Sequence, residues 1–164
     1  MIRPTHPRRT AALGLLLPAT LLALAACGSD TPSMRLGRAE EKVRAYATAA
    51  LAAVPGKDAA RVSAPQPDRD ECAPGPVGST PTYLPYLTYD LSGLSASKAP
   101  EVFEAVRQRL AQDGFGVRHR DDRRLDLAKG SDEFTASVVL GEPDTAPDTF
   151  HLTVRASCVP ADKP

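Results

Sequence analysis

Apolar residues recur in steps of three and four from Ser33 to Val54, at Leu36, Ala39, Val43, Tyr46, Ala47, Ala50 and Val54. That spacing places them on one face of a helix, which Pro55-Gly56 ends. Residues 57–82 follow neither period and are rich in Pro, Gly, Asp and Ser, so they are expected to form an irregular loop. A strand is then predicted over Tyr86–Leu91, with Tyr83, Leu87, Tyr89 and Leu91 on one side and Leu84 and Tyr86 on the other. Ser95 or Ser97 opens a second helix, Pro100 lies in its first turn, and Asp113-Gly114 closes it. Its buried stripe reads Ala99, Phe103, Val106 and Leu110.

Three further strands are predicted over Phe115–Arg120, Arg123–Ala128 and Glu133–Leu140. A last one alternates Phe150, Leu152, Val154 and Ala156 with His151, Thr153, Arg155 and Ser157, and Cys158 continues its inward parity. The order α-β-α-β-β-β-β predicts an α+β domain over residues 35–160: a mostly antiparallel sheet of about five strands, with two helices on one face. The first strand, joined to the next by a crossover helix, is expected to run parallel to it.

The stretch before the first helix has a different character. Residues 1–10 carry Arg3, Arg8 and Arg9 and no acid, and "AALGLLLPATLLALAAC" follows. The apolar run from Ala11 to Ala26 is 16 residues long and contains Pro18, short of the roughly 20 apolar residues of a spanning helix. It reads instead as a cleaved signal peptide. The tetrapeptide Leu24-Ala25-Ala26-Cys27 and the polar exit Gly28-Ser29-Asp30 resemble the lipobox of bacterial lipoproteins. That resemblance implies removal of residues 1–26, lipidation of Cys27 on sulfur, a tether over 27–34, and a domain hung from the outer face of the cell membrane. Two acyl chains give stable anchoring where one does not. An ordinary secretory signal, and a twin-arginine route through Arg8-Arg9, are the alternatives for export.

Removing residues 1–26 takes three of the 20 basic residues and none of the 20 acids, leaving 138 residues with formal charge −3. A mildly acidic chain of this kind is not expected to bind nucleic acid. Arginine outnumbers lysine 15 to five, Asn and Trp are absent, and Ile2 is the only isoleucine. This high-GC bias makes the chain resemble the small envelope lipoproteins of actinobacteria. With Cys27 lipidated, Cys72 and Cys158 form an even pair outside the cytoplasm, where disulfides persist. Their bridge would close a loop of about 86 residues, worth on the order of 4 kcal/mol by chain entropy.

No catalytic constellation is legible, and the chain is expected not to be an enzyme. His119 and His151 lie in no metal-spaced cluster, so neither a metal nor another cofactor is expected. Two polar features are candidates for a ligand or partner surface. Tyr83 and Tyr86 lie in a tyrosine-rich strand, and in "VRHRDDRRLD" alternation would set Arg118, Arg120 and Arg124 on one open sheet face, able to take a carboxylate or phosphate. The competing reading is a solvated hairpin whose charges discourage edge pairing. The expected function is a membrane-anchored, non-enzymatic binding or interaction module of the envelope, with an envelope protein or a small ligand as partner. The alternatives are a carrier or sensor of a small apolar or lipid ligand, held in a pocket between helices and sheet, and a cell-wall hydrolase.

Overall fold

The computed structural model describes residues 34–73, 75–130 and 133–162. Two α-helices, α1 (Leu36–Ala53) and α2 (Ala99–Ala111), accompany eight strand segments. These are β1 (Arg61–Val62), β2 (Gln66–Glu71), β3 (Thr82–Ser92), β4 (Phe115–Arg120), β5 (Arg124–Lys129), β6 (Phe134–Leu140), β7 (Thr149–Ala156) and β8 (Val159–Pro160). All pair antiparallel in one sheet. The α+β class holds, while the strand count and order differ from the expectation.

Strand β3 is the axis of the sheet. Along one edge it pairs with β1 at Leu91–Ser92 and with β2 at Tyr83–Thr88; along the other it pairs with β7 at Tyr86–Ser92 and with β8 at Thr82–Tyr83. From β7 the sheet continues through β6 and β5 to β4. β3 and β4 therefore point the same way without touching, because β7, β6 and β5 lie between them. The segment expected to be an irregular loop supplies the edge strand β2. All six of its residues are exposed, so it has no apolar alternation to reveal it, and Pro67 is tolerated because the strand is an edge.

Helix α1 buries Leu36, Ala39, Val43, Ala47 and Ala50, and α2 buries Ala99, Val102, Phe103, Val106 and Leu110. Both stripes match the predicted faces, with Val102 added. They meet Leu87, Tyr89 and Leu91 of β3, Leu125 and Leu127 of β5, Phe134, Ala136 and Val138 of β6, and Phe150, Leu152 and Val154 of β7 in one core. Phe103 meets Phe150 edge-on at 6.4 Å, and Tyr46 meets Phe115 and Phe134 edge-on at 5.1 and 5.3 Å. Ala39, Ala47 and Ala50 are fully buried. These small side chains let the helix lie close to the sheet.

Ser95 begins the descent into α2 by accepting from the Ser97 amide, a single 3-10 turn over Ala96–Lys98 follows, and Pro100 occupies the first α-turn, where its missing N–H costs no hydrogen bond. Gly114, at φ +88°, turns the chain out of the helix into β4. At the far end, β7 stops at Ala156 and Val159 of β8 is the next inward residue. The break at Ser157-Cys158 adds one residue to the alternation, so Cys158 is exposed and does not keep the inward parity expected of it. Its sulfur bonds that of Cys72, with Cα atoms 6.3 Å apart. Because Cys72 follows β2 and Cys158 follows β7, the bridge spans the start of β3 and ties together the strands on its two sides.

Candidate functional site

With both helices on one face, the other face of the sheet is left to polar side chains, as is usual for an antiparallel sheet packed on one side. The register sets them in rows. One row runs Asp68, Tyr86, Arg155, Thr135 and Ala128 across β2, β3, β7, β6 and β5. The next runs Thr88, Thr153, Ser137, Asp126 and His119 across β3, β7, β6, β5 and β4. A third holds Asp90, His151, Val139 and Arg124.

Hydrogen bonds knit the rows. Thr88 and Thr153 share one between their hydroxyls at 3.0 Å, and Ser137 donates to Asp126 Oδ1 at 2.7 Å. Arg124 donates its Nε–H to Asp126 Oδ2 at 2.7 Å, and Arg155 donates its own to Thr135 Oγ1 at 2.9 Å. His151 Nδ1 lies 2.7 Å from Asp90 Oδ1. Where small side chains coincide on β5, β6 and β7, the face dips into an open depression of about 390 Å³, rimmed by Arg118, Arg124 and Arg155.

The five candidate residues are divided between the two faces, Tyr83 and Tyr86 falling on opposite sides as their strand parity predicts. Arg118 and Arg124 rim the depression, and Tyr86 lies on the same open face, where its hydroxyl donates to Asp68 at 3.2 Å. Partial desolvation, then that bond and the charges of Asp68 and Asp70, hold the Tyr86 hydroxyl above its ordinary pKa, so it stays a donor. Tyr83 turns toward the helix side, partly buried against the core, with the Arg69 guanidinium 5.2 Å from its ring centre.

Arg120 also leaves the open face, and here the strict alternation predicted for the hairpin fails. Val117 faces Leu127 and His119 faces Asp126, so Arg118 is an extra residue, a β-bulge. The parity of everything after it reverses. Arg120 therefore faces Leu125 and reaches Glu104 of α2 at 3.1 Å. Glu104 also accepts from Arg107 and Gln108, and together these bonds, Arg107's first, hold its carboxyl down at about 2. His119 comes to the open face instead, 2.9 Å from Asp121, and with the Arg123 amide it holds that carboxyl below the usual range.

Arg155 is the member that sequence reading did not single out. Its polar parity was visible, but its neighbours depend on a register between β7 and β6 that no local pattern states. Cys27 lies outside the described residues. Among the described residues no group of three His, Cys, Asp or Glu is arranged to hold a metal ion, and no helix is long and apolar enough to cross a membrane. A second concavity, about 700 Å³, lies on the outer side of the helices, between α1 residues Ala45, Thr48, Ala49, Ala52 and Ala53 and Arg109 of α2. Comparison with protein-family models, with curated proteins and with solved structures finds no match to this chain, so the site rests on its own geometry.

Proposed function

We propose that this chain is an extracytoplasmic lipoprotein of the cell membrane, in which a disulfide-tied α+β domain serves as a non-enzymatic binding module and presents the open face of its sheet. The observation that carries the reading is the use of the three cysteines. Cys72 and Cys158 are joined to each other, which leaves Cys27, at the end of Leu24-Ala25-Ala26-Cys27, as the one thiol for a lipid. A structural disulfide belongs to an oxidising compartment, which is where a lipobox would deliver the domain. The tether is short: eight residues lie between Cys27 and Leu36, the first residue of α1.

Metabolic labelling with an alkyne-bearing fatty acid tests the anchor. Wild type is expected to take up label and to partition with detergent, and Cys27→Ala to lose the label, keep its leader and accumulate as precursor. Equal labelling of the two would end the proposal. A second reading, a carrier of a small apolar ligand, is favoured by the alanine-lined groove on the outer side of the helices. Native mass spectrometry of the extracted protein would then show a co-purified apolar molecule, and Ala49→Arg would abolish it.

A further inference from the structure

The depression on the open face has a low floor and a high rim. Ala128, Thr135, Ser137 and Thr153 form the floor from three neighbouring strands, and the long side chains of Arg118, Arg124 and Arg155 stand around it. Setting Arg118 aside, Arg124 and Arg155 stand there against one carboxylate, that of Asp126, an excess of one positive charge. Solvation alone asks only that the face be polar; it does not ask for this excess of one sign around a dip. Asp126 is already engaged by Arg124 and Ser137. Arg155 commits its Nε to Thr135 and, among the described residues, forms no ion pair. The donors on its two terminal nitrogens make the planar fork that matches a carboxylate.

We infer that this depression binds a hydroxylated monocarboxylate, an acidic sugar of the uronate type, with its carboxylate on the Arg155 fork and its hydroxyls over the floor. Three observations define that chemistry. Thr135, which accepts from Arg155, keeps its proton to donate, Ser137, which donates to Asp126, keeps lone pairs to accept, and Thr153 and Asp126 add further acceptors, which is what ring hydroxyls require. Arg124 is balanced by Asp126, which leaves the one positive charge of Arg155 for a monoanion, while a dianionic phosphate would bring a second negative charge close to Asp126. The volume of about 390 Å³ is at the small end of ligand sites, about 300–1,000 Å³, and suits one sugar ring. The inference rests on the reading of the open face as the binding surface.

The test is a titration of the full chain in detergent with D-glucuronate, D-glucose, acetate and glucose 6-phosphate, followed by amide chemical shifts. Glucuronate is expected to give saturable shifts confined to β5, β6 and β7 around the depression, and the other three at least about ten-fold weaker binding, the size of one lost charge-assisted hydrogen bond. Arg155→Ala should weaken glucuronate by at least about ten-fold, and Arg155→Gln, which keeps a donor for Thr135, should weaken it as much. Arg69→Ala, on the helix side of β2, should change nothing. Acetate binding as well as glucuronate, tighter binding of the phosphate, shifts elsewhere, or an unaffected Arg155→Gln protein would each overturn the inference. Fatty-acid labelling of Cys27 is independent of these outcomes, so a failed titration with a labelled protein refutes the ligand and leaves the anchor standing.

Discussion

At the scale of single residues, the side chain whose surroundings do most is Glu104. It receives Arg107 and Gln108 from its own helix and Arg120 from β4 across the layer, and so links α2 to the end of the hairpin. Its carboxyl is held at about 2 against an ordinary 4.5. A depressed folded-state value means that the carboxylate's contribution to stability is complete above the unfolded value and disappears as pH falls through the folded one. The window is therefore between about 4.5 and about 2. A carbon-detected titration should place the Glu104 midpoint near the lower figure. Glu104→Gln should flatten the part of the acid-unfolding curve that lies in this window, and a Glu104 midpoint at the ordinary value would contradict the geometry. Arg120 could not be assigned this role from the sequence, because a single bulged residue, Arg118, decides which face it takes.

Among the elements, α1 shows how a helix can be capped from a distance. Its N-cap, Arg35, has no side-chain oxygen to offer, and its first turn has no acid. The need is met by Asp162, whose carboxylate accepts from the Gly37 amide at 3.0 Å, while Arg35 donates to the Ala161 carbonyl at 3.1 Å. Gly37 gives the carboxylate room, since a Cβ there would lie 2.9 Å from the Asp162 oxygen and push it aside. Asp162→Ala should cost roughly 0.5–1 kcal/mol, as other caps do, read as a lower urea midpoint, and Gly37→Ala should show no additional loss in the Asp162→Ala background. Fully additive losses would argue against the contact. Both helix stripes and strands β3, β5, β6 and β7 were legible in the sequence, because each buries a regular apolar face; β4 buries only Phe115 and was legible from the turn residues Gly114 and Asp121-Asp122 at its ends. Edge strand β2 was not, since an all-exposed strand leaves no period; nor were the rows of the open face, since register is a property of pairs of strands.

At the largest scale, the described residues form two layers tied at one corner by Cys72–Cys158. The bridge fixes the proline-rich segment to the C-terminal strand across β3, and it joins positions 86 residues apart. Chain entropy then puts the loss on making Cys72→Ser with Cys158→Ser on the order of 4 kcal/mol, an upper figure because denatured chains keep some structure. Denaturant unfolding of the oxidised and double-mutant proteins measures it, and equal midpoints would show that the bridge contributes nothing. The same covalent closure separates the domain's two thiols from Cys27, and the proposed function depends on that separation. The open sheet face, with its arginine-rimmed depression, then has solvent access on the side opposite the helices.

Intact mass of the protein extracted from membranes bears most directly on this account. The expected species begins at Cys27, is heavier than the bare chain by a diacylglyceryl group, and lacks two hydrogens for the Cys72–Cys158 bond. A species beginning at Met1, without an acyl adduct and with three thiols open to alkylation, would contradict it.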